Sequence, residues 1–452
     1  MAAAALWFAQ ALLPDGWAQQ VQIKLHDGHI ASLTTDTPPE AGDERHAIAL
    51  PGMNNLHSHA FQRVIAGLTE RRGPSADSFW SWREQMYRFQ TRIGPEELRT
   101  IAALAYMEML ETGFTRVGEF HYLHHNTDGT PFDDPAEMSA ALCAAAGDTG
   151  IALTLLPVFY AHAGFGGQPP NAGQARFIHS LDSFARLLET SQPHLNRLPD
   201  AVLGIAPHSL RAVTPEELTA LLPLCPEGPI HIHIAEQVRE VEQSLAHLGA
   251  RPIEWLLANM PVDGRWCLVH ATHMTEAETL NLAASGAVAG LCPITEANLG
   301  DGVFPAEAFL NAGGRIGIGS DSNVLISATE ELRLLEYSQR FIHKARNVLA
   351  APLGSTGARL YKDAVKGGAQ ALKGCAGLAE NHVADIVSLD ARSASLTARQ
   401  GDDILDSHIF ASARNGIDCV WRHGQKQVSG GKHIQHERIV STYRTLMERL
   451  TA

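Results

Sequence analysis

Eight short apolar runs, each followed by a longer helix-patterned stretch, constrain this chain more than any other feature. They fall at residues 47–59, 115–120, 151–160, 201–210, 228–236, 265–273, 287–295 and 315–323. Strands that alternate with helices pair in parallel, because a parallel neighbour is reached only through a crossover. Eight such units are the number that closes a (β/α)8, TIM-like barrel, an α/β fold. The intervening stretches carry helix signals: residues 95–112 open on Pro-Glu-Glu and stop at Gly113, and 214–222, 239–247 and 275–284 repeat the pattern.

The ends of the chain read differently. Residues 5–50 alternate short apolar runs with turns such as Asp27-Gly28, and 384–391 and 417–425 return to short strands. A chain of 452 residues has room for a barrel and a modest second domain. We expect residues 1–48 and 382–430 to form one composite β-sandwich, 49–381 the barrel, and 431–452 a terminal amphipathic helix.

In a barrel of parallel strands the C-terminal ends share one mouth, so residues far apart in sequence meet there. Reactive side chains concentrate at those ends. His57 and His59 close the first run, in HSH spacing that points both imidazoles the same way in a strand. His233 and Glu236 close the fifth, His270 the sixth and Asp321 the eighth. Three imidazoles and a carboxylate satisfy a zinc-like divalent ion and leave room for a water. His231 alternates with His233 and competes for the same role, but Glu236 three residues beyond favours His233. The His121, His124 and His125 loop reads as structural.

Composition removes several function classes. A formal net charge of -14 argues against general attraction to nucleic acid or anionic membrane, while leaving room for a local basic pocket. No stretch approaches the ~20 apolar residues of a membrane helix. The six cysteines are scattered with no C-x-x-C pair, which disfavours a disulfide framework or thiolate zinc site and suits a reducing cytoplasm.

With HSH, the HIAE of residues 233–236, His270, the GSD of 319–321 and CPITEANLGDG at 292–302, the chain resembles the amidohydrolase superfamily, in its aminohydrolase branch. The fourth run offers no lysine for a carbamylated two-metal site. HAFQR at 59–63, FWSWREQMYR at 79–88, EFHYLHH at 119–125 and APHSLR at 206–211 are similar to the formimidoylglutamate deiminase family within that branch. That resemblance implies hydrolysis of N-formimino-L-glutamate to N-formyl-L-glutamate and ammonia in histidine degradation, and a homodimer.

A dicarboxylate substrate calls for fixed cations, and the planar fork of arginine binds a carboxylate through two hydrogen bonds. Arg83 and Arg211 are the candidates, and the resemblance implies further contacts from Gln62, Tyr122 and His208. His57, His59, His233 and Asp321 are expected to hold one Zn2+. Asp321 is to take a proton from the attacking water, His270 to orient it, and Glu236 to protonate the departing nitrogen. The alternatives are a deaminase of a cyclic amidine such as guanine or cytosine, and a non-catalytic scaffold.

Overall fold

The structure is a computed structural model that describes residues 5–72, 79–412 and 416–451; the first four residues of the expected N-terminal segment lie outside them. Four strands open the chain: β1 (Ala5–Leu13), β2 (Gly16–His26), β3 (His29–Thr34) and β4 (Glu44–Pro51). Asp27 and Gly28, at φ 46° and 79°, form the tight turn between β2 and β3. Both central residues take positive φ, as the twist of a two-residue hairpin requires.

The barrel follows, with β5 (Met53–Ser58), β6 (Phe114–His121), β7 (Ala152–Phe159), β8 (Val202–Leu203), β9 (Ala206–Pro207), β10 (Ile230–Ile234), β11 (Trp266–His270), β12 (Val288–Leu291) and β13 (Arg315–Ile318). They run in parallel in the order β10-β11-β12-β13-β5-β6-β7-β8, with β9 on β7, and a bridge between Ile205 and Ile230 brings the last strand back to the first. The expected eight-membered barrel is therefore present.

Two runs differ from their sequence reading. Residues 47–59, read as one strand, are two: Gly52 N–H donates to Asp385 O and Met53 N–H to Gly113 O, so the ladder changes sheets within one residue. The run at 201–210 is broken into β8 and β9 at Gly204 and Ile205, whose N–H groups turn to different neighbours, Gly204 to Leu155 O and Ile205 to Pro229 O.

The chain closes with β14 (Ile386–Leu389), β15 (Ile417–Arg422), β16 (Gln425–Ser429) and β17 (Lys432–His433). These join the first four in the order β17-β16-β15-β14-β4-β1-β2-β3, so both chain ends build one mixed sheet. Leu6, Phe8, Val21, Ile23, Ile386 and Trp421 bury one face of it. Arg116 of β6 and Arg422 of β15 both pair with Asp200, tying this sheet to the barrel wall. The terminal helix His436–Thr451 lies along Pro95–Glu111, with Arg449 paired to Glu97.

The helix Thr356–Ala371 presses on β5, β12 and β13, and its Ala371 closes a buried plug with Leu56, Cys267, Val269, Val288, Cys292 and Leu372. A Cβ on Gly367 would stand 1.9 Å from Ile316 O, so that approach requires glycine. Among the described residues no helix is long and apolar enough to cross a membrane.

Candidate active site

The polar residues that stop the barrel strands converge on one point. His57 lies in β5 and His59 just beyond it, and their Nε2 atoms are 3.2 Å apart. His233 of β10 brings its Nε2 within 3.0 Å of His57 Nε2. Asp321 is docked to β5 by two backbone bonds of 2.9 Å, its N–H to His57 O and its carbonyl from His59 N–H. Its Oδ1 stands 3.3 Å from each of the two histidine Nε2 atoms.

Those spacings test whether a cation fits. Bare imidazole lone pairs repel at 3.0 Å, whereas ligands about 2.0–2.1 Å from one tetrahedral ion lie about 3.3 Å from each other. His59 Nδ1 is 2.7 Å from Phe120 O and donates to it, which leaves Nε2 a lone pair for the centre. Burial pushes His57 down to about 3 and drives His59 and His233 down too, so all three are neutral donors near pH 7. Burial alone would raise Asp321, but the His57, His59 and His270 rings around it outweigh that and hold the carboxyl below its usual range. The four residues form a buried His3Asp cluster whose donor atoms lie close enough together that they could hold one metal ion.

The frame around them is rigid. Glu119, wholly buried near the end of β6, accepts the Ala60 N–H at 2.7 Å, and burial lifts its carboxyl to about 8. Asn323 Nδ2 donates to Ser58 Oγ and Asp321 O, each at 3.1 Å. Ala235, His270, Asp321 and Asn323 sit at φ between 46° and 70°. Left-handed non-glycine residues cost of order 1–3 kcal/mol each and persist where surrounding bonds hold them.

His270 ends β11 beside this centre. Its Nδ1 is 3.2 Å from Glu296 Oε1, while its Nε2 is 3.9 Å from Glu236 Oε1 and 4.0 Å from Asp321 Oδ2. Burial alone would depress His270, yet the three carboxylates outweigh it and raise it to about 10. Burial lifts Glu236 to about 7, against the pull of His270 and Arg211. Glu240 holds that strand end by accepting the Ala235 and Glu236 N–H groups, both at 3.1 Å.

A cavity of about 570 Å³ opens above the cluster, and Gln62, Arg83, Tyr122, His208 and Arg211 all line it with Glu236, His270 and Asp321. Gln62 Nε2 donates to Tyr122 Oη at 2.7 Å. Burial, reinforced by Arg211, keeps His208 neutral. Burial would also lower Arg211, but Glu240, Tyr160 and Glu236 raise it, so it stays a guanidinium. Arg83 lies 5.6 Å over the Tyr87 ring. All eleven residues singled out in the sequence thus gather at one mouth.

The competing histidines are used elsewhere. His231 Nε2 bonds Ala371 O at 2.9 Å, and His121, His124 and His125 bond the carbonyls of Leu123, Val158 and Ile178. Sequence reasoning missed Glu119, Glu240, Glu296 and Tyr160. Tyr160 stands at the end of the third run, where the strand-end argument could have found it, and Glu296 lies inside the quoted 292–302 loop. Glu119 stands near the end of the second run and opens the quoted 119–125 motif, whereas nothing in the sequence marks Glu240.

Comparison with known proteins covers the whole chain. The model described as amidohydrolase family matches residues 48–426, and that described as formimidoylglutamate deiminase HutF, N-terminal domain, matches 4–47. A formimidoylglutamate deiminase from Pseudomonas aeruginosa is 48% identical over 440 residues, 96% of each protein. A crystal structure of an amidohydrolase from Brucella melitensis aligns at TM-score 0.96 and 53% identity, over 99% of this chain and 100% of that one. An adenosine deaminase from Xanthomonas campestris with bound zinc shares the fold at TM-score 0.82 and 21% identity, over 100% and 99%.

Proposed function

The chain belongs to the amidohydrolase family, and from that footing we propose that it hydrolyses N-formimino-L-glutamate to N-formyl-L-glutamate and ammonia, a step of histidine degradation. The observation that carries this reading is one cavity with two arginines on its wall and the His3Asp cluster and Glu236 at its base. A linear amidine bearing two carboxylates needs both ends at once. The Pseudomonas aeruginosa relative supports the same assignment along its full length.

His57, His59, His233 and Asp321 would hold the cation, which we infer to be a single Zn2+ because the donor set is nitrogen-rich and its spacing is tetrahedral. The zinc in the Xanthomonas campestris deaminase supports that choice. A divalent ion held there supplies Lewis acidity, lowering the pKa of a bound water from 15.7 to about 7.

The chain's own groups do the rest. Arg83 and Arg211 grip the carboxylates and set the formimino carbon over the base of the cavity. Gln62, Tyr122 and His208 fix its orientation. Asp321 accepts a proton from the attacking water while His270 orients that water. As the new C–O bond forms, the C=N double bond becomes single. Glu236, with its carboxyl lifted to about 7, delivers a proton to the terminal nitrogen. The hydroxyl proton passes by way of Glu236 to the same nitrogen, the C–N bond breaks, ammonia leaves as the formyl C=O is restored, and the proton held by Asp321 returns Glu236 to its acid form.

The test is ammonia release from N-formimino-L-glutamate by metal-loaded protein. Turnover of a purine, pterin or triazine in its place rejects the substrate and keeps the chemistry. The six cysteines, all free of disulfides, support a reducing cytoplasm. The family resemblance supports a homodimer, which light scattering reads directly.

A further inference from the structure

Two tyrosines line the cavity with their phenol oxygens held by the same device. Tyr122 Oη accepts from Gln62 Nε2 and Tyr160 Oη from Gln174 Nε2, each at 2.7 Å. Both rings pack on Phe177, with centroids 4.9 and 5.6 Å away, and both meet the His208 ring edge-on, at 5.9 and 4.6 Å. Tyr122 belongs to the set proposed above to orient the substrate, whereas Tyr160 has no role there.

The amide of Gln174 is turned one way by the backbone. Its Oε1 accepts the Asn171 N–H at 3.0 Å, so Nε2 is the end that reaches Tyr160. The same loop is tied to the end of β7: Tyr160 bridges to Ile178, and its carbonyl accepts the His179 N–H at 3.0 Å. Because Gln174 donates, Tyr160 Oη serves as the acceptor and its own O–H turns elsewhere. Among the described residues that O–H meets no acceptor, although Tyr160 is only 6% exposed. A buried donor with no protein acceptor takes its partner from whatever enters the cavity.

Position and chemistry select that partner. The His208 ring touches both the Tyr160 and the His233 rings, at 4.6 and 4.9 Å, so the phenol stands one ring further out from the His3Asp cluster than His208. A linear substrate with its reacting carbon over the cluster lays its tail there. The N–H groups of an amidine cannot serve a donor, whereas a carboxylate accepts at about four lone-pair sites. A guanidinium fork fills two of them and leaves room for a phenol beside it. We infer that Tyr160 is a further substrate-binding residue, whose O–H, aimed by Gln174, donates to a carboxylate oxygen of a small dicarboxylate. The inference rests on the substrate class proposed above and sharpens it, because a fixed donor rejects analogues that lack the acceptor.

The experiment uses metal-loaded protein as wild type, Tyr160→Phe, Gln174→Leu and the double variant. Phenylalanine keeps the ring packing and removes only the hydroxyl. Ammonia release from N-formimino-L-glutamate gives kcat and KM, and calorimetry reads the binding of glutarate. For Tyr160→Phe we expect KM and the glutarate Kd both to rise about tenfold or more, the usual worth of a hydrogen bond to a charged group, with the loss in KM and not in kcat. Gln174→Leu should weaken glutarate by less, and adding it to Tyr160→Phe should cost little more, because the amide acts through the phenol. Unchanged glutarate affinity in Tyr160→Phe overturns the inference and leaves the substrate in place, even where kcat falls. Fully additive losses in the double variant also overturn it, because separate packing effects would then be at work. A wild type that binds glutarate, loses that affinity in Tyr160→Phe and yet releases no ammonia overturns the substrate and keeps Tyr160 as a carboxylate contact. A wild type that neither binds glutarate nor releases ammonia overturns both.

Discussion

Glu236 and Arg211 divide the work of the site between chemistry and capture. Glu236 is outside the four-residue cluster, so Glu236→Gln should retain its metal while turnover falls by ~10²-fold or more, the usual worth of a positioned proton carrier. Metal analysis and ammonia assay on one preparation check this, and near-wild-type turnover would remove Glu236 from that role. Arg211→Ala deletes a buried guanidinium and should raise KM about 10- to 100-fold for carboxylate-bearing amidines, from roughly 1.5–3 kcal/mol per charged hydrogen bond. An equal loss on a neutral amidine would contradict carboxylate binding. Around these two, Glu119 and Glu240 act on the backbone, each accepting N–H groups at a strand end that carries a reactive side chain.

Helix Thr356–Ala371 sets the position of β13, the strand that leads to Asp321. Helix propensity favours alanine over glycine by up to about 1 kcal/mol, so Gly367→Ala would ordinarily stabilise. Here the new Cβ would collide with the Ile316 carbonyl, a backbone atom with no rotamer to turn aside. We expect a loss of about 1–3 kcal/mol in chemical denaturation, the usual cost of overpacking. A gain in stability would refute that packing account. The same elements show what was legible in the sequence. His57, His59, His233, His270 and Asp321 were readable because polar groups at the ends of apolar runs must share one mouth. The role of Glu119 was not, because it depends on an N–H of Ala60 that only folding brings near. The break at Gly52 was marked only by the Pro51-Gly52 pair, because 47–50 before it and Met53 after it are apolar, and apolar runs do not announce a change of sheet partner.

For the protein as a whole, acid sensitivity follows from histidines buried as neutral rings away from the metal site. Burial, with a smaller push from Arg333, lowers His408 from 6.5 to about 4, and burial lowers His121 and His179 to about 3. Below pH 6.5 the unfolded chain takes up protons that the folded one refuses, so stability is full above 6.5 and lost as pH falls through 4. At 1.36 kcal/mol per unit, His408 contributes a loss of about 3 kcal/mol across that window. Denaturation of His408→Leu and wild type, compared at pH 7 and pH 4, should show the variant closing the gap by that order. A gap independent of pH would rule out a neutral buried His408.

The mixed sheet has a consequence for the order of events on the ribosome. The free side of β4 finds its partner only when β14 is made, roughly 330 residues later and tens of seconds on at about 5–20 residues per second. Until then the nascent chain carries a bare, apolar strand edge that invites pairing with its neighbours on a polysome. Synthesis stalled before Ile386 should therefore yield chains that need a holding chaperone, however sound the finished protein is.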